Sequence, residues 1–549
     1  MEASVLTIVL VLIYLIVIGL LGYKGYRGTK TAADYLLAGR RIHPFVMAMS
    51  YGATFISTSA IVGFGGAAAV FGMGLLWLTF LNIFVGIFIA FVFLGVPTRR
   101  MGHHLNAHTF PEFLGKRFQS KGLQTFSGLI VLLFMPLYTG VVSMGAAKVI
   151  EVHLHTRYDV ALFFFCAVVA LYVTMGGLKG VMYTDALQGG IMFLGMVLLL
   201  ILTYWKLGGV LDAHNQLTAM KEQAVAVFGK AGHRGWTAMP AFGSPFWWTL
   251  VSSIVMGVGI GVLAQPQLVV RFMTVRSTKE LNRAVLVGGI FILAMTGVAF
   301  IVGALSNVMF FQDETFGKIG LLAADKNVGN IIPLYIKHYM PAWLGSVIVV
   351  TLLAAAMSTV SSQIHAMGTA AGRDLYENLS GAETGGSRSI VATRIGIVAT
   401  LLLSFALAYI LPIHFKGTGT AIIARGTAIF FGLCASAFLP MYVGALYSRA
   451  ITRAGAIWGS VTGFVLSALW LLFVHQKESE ALRICNLLFG KPSLFAGMKS
   501  GFIIWSEVDP LFVAFPCAVI VTIVVSCVTK KFTTEHLDDC FSASQPAAE

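Results

Sequence analysis

The sequence predicts an all-α, polytopic membrane protein of about 13 transmembrane helices, and three observations predict it. Of its 549 residues, 57% are hydrophobic and only 11% are charged, where an ordinary soluble domain carries about 25% charged residues. Mean hydropathy is +0.85. Apolar windows of the roughly 20 residues that a helix needs to cross a 30 Å hydrocarbon core recur along nearly the whole chain.

The predicted spans run approximately 4–23, 44–70, 75–97, 123–150, 158–175, 181–207, 246–271, 281–308, 342–371, 389–411, 420–448, 455–475 and 509–529. The first could be read as a signal peptide. It lacks a basic leading region and a small-residue cleavage site, and its positive flank, Lys24 to Arg41, follows the apolar run, so it reads as a retained helix. The net charge of +14 does not point to nucleic acid, because the basic residues are dispersed at span ends. With the N-terminus outside, the inner loops gather Lys24 to Arg41, Arg99 to Lys121, Arg276 to Arg283, Arg449 with Arg453, and Lys530 with Lys531. The positive-inside rule then puts the C-terminus in the cytoplasm of a multi-pass plasma (inner) membrane protein.

Residues 1–531 form one integral domain by this reading, and 532–549 a short cytoplasmic tail with no room for a soluble catalytic domain. The six cysteines show no CxxC or other ligand spacing, so neither a metal nor a disulfide framework is expected. His103, His104 and His108 lie in a basic loop without an HExxH pattern, so an enzyme is not expected. Two blocks of five spans, 44–207 and 246–449, begin on opposite sides of the membrane, as an inverted repeat requires.

The first span of each block is rich in glycine and hydroxyls: SYGATFISTSAIVGFGG (Ser50 to Gly66) and SSIVMGVGIGVLAQPQ (Ser252 to Gln267). Such composition fits a helix broken at the midplane, whose freed backbone groups small polar side chains can satisfy; close packing by small residues is the alternative. The stretch AAAMSTVSSQ (Ala354 to Gln363) adds Ser358, Thr359, Ser361 and Ser362. Ser358, Ser361 and Ser362 share a helix face. Such hydroxyls either bond their own i−4 carbonyls or, with carbonyls freed at 53–57, form an oxygen cage for a hard cation such as sodium. Asp185, in VMYTDALQGG, is an intramembrane carboxylate that needs a partner: a cation held with Ser361 and Ser362 would supply one, and the alternative is an interfacial Asp that reaches water or pairs with Lys179.

These residues resemble the sodium/solute symporter family. The likeness covers about 5–530 and is carried by TAADYLLAGRRI, SYGATFISTSAIVGFGGAA, MGGLKGVMYTDALQGGIM, AQPQLVVRFMTVRSTKELNRA, AAAMSTVSSQ and GALYSRAITRAGAIWGSVTG, in that order. The resemblance implies a LeuT-like fold, in which spans two to eleven form a five-plus-five inverted repeat, and sodium-coupled import of a small organic solute by alternating access. It implies a sodium site at the carbonyls of Ala53, Ile56 and Ala355 and the hydroxyls of Ser358 and Thr359. A second sodium site, present in some members, would fall on Asp185, Ser358, Ser361 and Ser362. Sodium is the implied coupling ion, with no organic cofactor, and the implied partners are the solute, sodium and the bilayer around a monomeric transport unit. Three departures stand out: Gln267 replaces a histidine, Phe55 stands where some relatives carry aspartate, and the segment after Arg449 has one extra residue.

The solute is expected near Phe55, Ser57, Thr58, Thr79 and Trp247, although Trp247 also fits an interfacial belt. No Asp or Glu occurs between 44 and 97, which disfavours a cation. Half-helix N-termini favour an anionic group, so a small monocarboxylate or an amino acid such as proline is expected, with pantothenate, a sugar, or a channel or sensor role as alternatives. Arg271, Arg394 and Arg425 read as boundary residues that snorkel, unless Arg425 reaches the cavity and clamps a carboxylate.

Overall fold

The computed structural model describes residues 2–381, 387–414 and 421–542. Almost every described element is helical; the one sheet among them pairs Lys499–Ser500 with Ile503–Ile504. Among the described residues, eleven helical stretches are long and apolar enough to cross a membrane. Two are far longer than one crossing needs: Ser59–His104, of 46 residues, and Tyr158–Lys206, of 49, which at 1.5 Å per residue would reach roughly 70 Å. Each is divided at a glycine with a left-handed backbone. Gly177 has φ 55° and lies so close to Tyr35 that a Cβ there would meet its carbonyl oxygen at 2.8 Å. Gly72 has φ 76°, and a Cβ there would meet the Trp236 carbonyl oxygen at 2.2 Å. Only glycine serves both demands.

The helix Ala342–Thr369, the serine helix below, is the most enclosed: 89% of its apolar window is buried, against 28% for the first and last candidate spans. It packs against Glu2–Gly28, Lys121–Leu154, Tyr158–Lys206 and Ser387–His414. Buried polar contacts fix its place. Tyr172 Oη donates to the Met357 carbonyl at 3.2 Å, Tyr14 Oη reaches Met357 Sδ at 3.2 Å, and Thr7 bonds Ser346 at 2.8 Å.

Both glycine-rich spans are broken. Pro44–Phe55 ends at Ile56 (φ −90°, ψ 100°), and after Ser57 helical backbone resumes with Thr58 (φ −55°, ψ −29°), which leads into Ser59–Gly63. Ser57 stitches the gap, its Oγ accepting from Ser59 N at 3.1 Å and its carbonyl from Ala60 N at 3.0 Å. The second span stops at Val262–Ala264, passes through extended Gln265 (ψ 116°) and restarts with Pro266–Phe272, where proline's missing N–H costs nothing at a first helical turn.

Beyond the first break, Phe64–Phe71 lies backbone-to-backbone on Thr278–Gln312: a Cβ at Gly303 would stand 2.0 Å from the Gly65 carbonyl oxygen. Gly303→Ala is therefore expected to force these helices apart and to lower the thermal midpoint of the purified protein, by a destabilisation of about 1–3 kcal/mol. Gly345→Ala, with nothing within 4 Å, should leave it unchanged.

Candidate functional site: an oxygen cage at a broken helix

Ending a helix at Phe55 leaves carbonyls that the next turn would have used. The serine helix takes them over. Ser358 Oγ lies 2.8 Å from the Ala53 carbonyl oxygen and 3.2 Å from that of Ala355, and Thr359 Oγ1 donates to the Thr54 carbonyl at 3.1 Å. All these residues are fully or almost fully buried. Three of the five oxygens expected of the first sodium site, those of Ala53, Ala355 and Ser358, thus meet at one point. Ile56 sits in the adjoining break, and Thr359 engages Thr54 beside it. The donor set is neutral, hard oxygen in a buried setting, the chemistry that suits an alkali cation.

One helical turn further, about 6 Å along the axis, the expected second sodium site has a different composition. Asp185 accepts from Ser50 at 2.8 Å, Ser362 at 3.2 Å, Thr54 at 3.3 Å and Ser361 at 3.4 Å. Ser358 is turned away toward Ala53. The cation facing Asp185 is Arg271, whose Nη2 lies 2.9 Å from Oδ2. Arg271 also donates to Ser50 at 3.0 Å, Thr54 at 2.6 Å, Ser362 at 2.5 Å and the Gln267 carbonyl. The reading of Arg271 as a snorkelling boundary residue is therefore corrected: its side chain is 1% exposed. The Pro266–Phe272 helix that follows the second break aims it inward at the carboxylate. Lys179, the other suggested partner of Asp185, donates to the Gly28 carbonyl instead. Arg394 is exposed, as a boundary residue would be. Gln267 is buried and donates to Gln265 Oε1 at 3.2 Å.

Beside the break lies a narrow cavity lined by Phe55, Ser57, Asn82, Tyr138, Thr296, Thr427 and Phe431, among others. Phe55 stacks on Phe431 at 6.3 Å, and Tyr138 meets Phe431 edge-on at 5.5 Å. Of the expected solute contacts, Phe55 and Ser57 line this cavity. Thr58 does not, because its hydroxyl donates to the Val142 carbonyl at 3.2 Å. Thr79 is turned toward Gly297; Asn82, one turn on, lines the cavity in its place and has an unpartnered, buried Oδ1. Trp247 belongs elsewhere, in an aromatic cluster with Phe242 (4.8 Å) and Trp248 (5.0 Å) near the 502 segment, as an interfacial residue would. Tyr138, Thr296, Thr427 and Phe431 escaped the sequence reading; an aromatic or hydroxyl in an apolar span carries no signal of which face it occupies.

A vestibule opens toward the face that carries the 476–508 connection, and Phe64 borders both it and the central cavity. On the opposite side the helices are tied by charged contacts. Arg373 pairs with Glu112 at 2.8 Å and Glu377 at 2.5 Å, and Asp374 accepts from Thr109 at 2.7 Å and Gln124 at 3.0 Å. These contacts clamp Phe110–Arg117 and Lys121–Leu154 to the extension of the serine helix. Burial opposes ionisation of Glu112, which lies outside the spans, but His108 and Arg373 hold its carboxyl well below the usual range, so the clamp stays charged at neutral pH.

The model of the Sodium:solute symporter family matches residues 35–463. The osmoregulated proline transporter OpuE of Bacillus subtilis is 26% identical over 474 residues, covering 86% of this chain and 88% of that protein. Sodium/proline symporter 2 of Staphylococcus saprophyticus is 27% identical over 528 residues, covering 93% and 91%. Among solved structures, an outward-open Na+-coupled sialic acid symporter superposes with a TM-score of 0.74 at 18% identity, covering 96% of this chain and 99% of that one. A nucleobase-cation-symport-1 family transporter gives 0.51 at 14%, covering 92% and 97%. These likenesses show a LeuT-like fold. With a family match that spans both broken helices and the serine helix, the chain belongs to the sodium:solute symporter family.

Proposed function

We propose that the protein imports a small carboxylate-bearing solute, a monocarboxylate or an amino acid such as proline, with sodium by alternating access. The observation that carries this is the meeting of Ser358 Oγ with the Ala53 and Ala355 carbonyls at the break. Sodium bound there would tie the broken helix to the serine helix, so that ion occupancy and the relative position of the two helices are linked. The open vestibule on one side and the charged clamp on the other support a state accessible from the outside, in the orientation given by the positive-inside rule, in a multi-pass plasma membrane protein working as a monomeric unit. Counting each of the two divided helices as two crossings brings eleven to thirteen and supports that count. The paired breaks at Ile56–Ser57 and Gln265 support the inverted repeat.

The central cavity is bordered by aromatic and hydroxyl groups with no charged side chain in its lining, which suits a compact solute with an apolar body. Its anionic group would face the helix that restarts at Ser59, whose positive end points at the break. Relatives named as proline symporters favour an amino acid; a sugar or pantothenate would need more polar partners than Asn82, Tyr138 and Thr427 present.

We assign one sodium, because Arg271 occupies the position a second would take beside Asp185. Its guanidinium neutralises the carboxylate and uses Ser50, Thr54 and Ser362 as a second ion would.

The test is uptake of labelled proline, lactate and glucose by purified protein in liposomes. Proline or lactate should accumulate with an inward sodium gradient and not with choline; uptake indifferent to sodium would overturn the reading. Ser358→Ala should raise the half-saturating sodium concentration about tenfold, equivalent to about 1.4 kcal/mol; Thr359→Ala should raise it less. Arg271→Gln strands a buried carboxylate and should destabilise the protein by about 3–5 kcal/mol. Adding Asp185→Asn to that variant should recover much of the loss, as read by thermal unfolding in detergent.

A further inference from the structure

The vestibule walls are mostly apolar, with Phe64, Val70, Phe71, Phe246, Ile254 and Leu471 among them, yet five charged or titratable side chains reach it: Arg425, His475, Lys477, Glu478 and Asp509. Four are engaged. His475 Nδ1 is ion-paired with Glu478. Burial works against Glu478 ionising, but the charges of His475, Arg425 and Lys477 bring it down to about 2, so that pair persists at neutral pH. Lys477 pairs with Glu507 at 3.3 Å and donates to Thr249 at 2.9 Å. Asp509 accepts from Leu511 N at 2.9 Å, capping the last span. Arg425 alone of the five makes no hydrogen bond or ion pair among the described residues. Arg425 is half-buried, in a setting where a planar carboxylate bound through two N–H groups would be held more strongly than in open water.

Its place on the helix matters as much as its charge. Arg425 opens the described side chains of Ala421–Tyr447, with Ala428 and Ile429 on the same vestibule-facing side. Thr427 and Phe431, on the same helix, line the central cavity. From Arg425 to Phe431 the helix rises about 9 Å, roughly the length of one small solute. Phe64 stands at the boundary between the two spaces.

We infer that Arg425 forms an outer anion subsite, which takes the carboxylate of an arriving solute in the vestibule before the solute passes Phe64 into the central cavity. The inference rests on the carboxylate reading above and adds a second, earlier station to it. Electrostatic capture at such a place raises the local concentration of anionic solutes and their entry rate, with little effect on steps that follow.

The experiment uses full-length protein in liposomes, with naphthoate as a probe too wide for the central cavity. In the unaltered protein, external naphthoate should inhibit sodium-driven uptake, and naphthalene carboxamide should not. Arg425→Gln should abolish that inhibition and raise KM for the transported carboxylate about tenfold, while the maximal rate stays within about twofold and the half-saturating sodium concentration is unchanged. Arg425→Lys should fall between, keeping the charge and losing the fork. Unchanged KM and unchanged naphthoate inhibition in Arg425→Gln, with carboxylate uptake intact, would overturn the subsite and leave the transport reading standing. Naphthoate inhibition that depends on Arg425, in a protein that carries only neutral solutes, would uphold the subsite and overturn the carboxylate reading. A thermal midpoint matching the unaltered protein identifies these effects as binding rather than folding.

Discussion

A helix can be interrupted inside hydrocarbon only where another element accepts the carbonyls it gives up, and in this protein that element is the hydroxyl row of Ala342–Thr369. Ser358 bonds the Ala53 carbonyl and Thr359 the Thr54 carbonyl, so the break at Ile56–Ser57 is held open by the helix opposite. The rest of the site depends on this contact. The cavity lies where the broken helix turns away from regular geometry at Ser57, and on its other side that helix is joined to the serine helix through neutral oxygens rather than packed methyl groups. Such a joint is weak enough for an ion to strengthen.

The second fixed feature is the Arg271–Asp185 pair. Burying both charges is costly unless the geometry is good and the remaining hydrogen-bonding capacity is used; here Ser50, Thr54, Ser361 and Ser362 supply that capacity. The pair links the two segments that flank the breaks, Pro44–Phe55 and Pro266–Phe272, to Tyr158–Lys206. It lies one turn from the Ser358 cage, toward the side tied by the Arg373 clamp. The molecule therefore carries a fixed cation, Arg271, at one of these joints and only neutral oxygens at the other.

Much of this was legible in the chain. Hydropathy located the crossings, and glycine with hydroxyl content located both breaks. The clustering of Ser358, Thr359, Ser361 and Ser362, with Asp185 as the one carboxylate needing a partner, marked the polar seam. Arg271 was misplaced because hydropathy treats a charge near the end of an apolar window as a boundary residue. The turn at Gln265–Pro266, which redirects the following helix toward the interior, is a tertiary effect. Thr58, Thr79 and Trp247 were expected at the solute site because they lie on the broken spans or beside them, yet helical periodicity turns Asn82 inward rather than Thr79, and Trp247 sits at the far end of its span. Tyr138, Thr427 and Phe431 come from helices whose sequence gives no reason to single out one aromatic or hydroxyl over its neighbours; only the packing of the helices brings them together.

Sodium bound between the broken helix and the serine helix is what the proposed coupling requires. Paired cryo-electron microscopy maps of the purified protein, one in sodium and one in choline, are the test. We expect a compact peak in the sodium map, in contact with the Ala53 and Ala355 carbonyls and Ser358 Oγ at about 2.3–2.6 Å, the range for hard cations on oxygen, and no peak in the choline map. A sodium map in which residues 50–66 run as one unbroken helix, or in which that position is empty while the ion lies elsewhere, would contradict it.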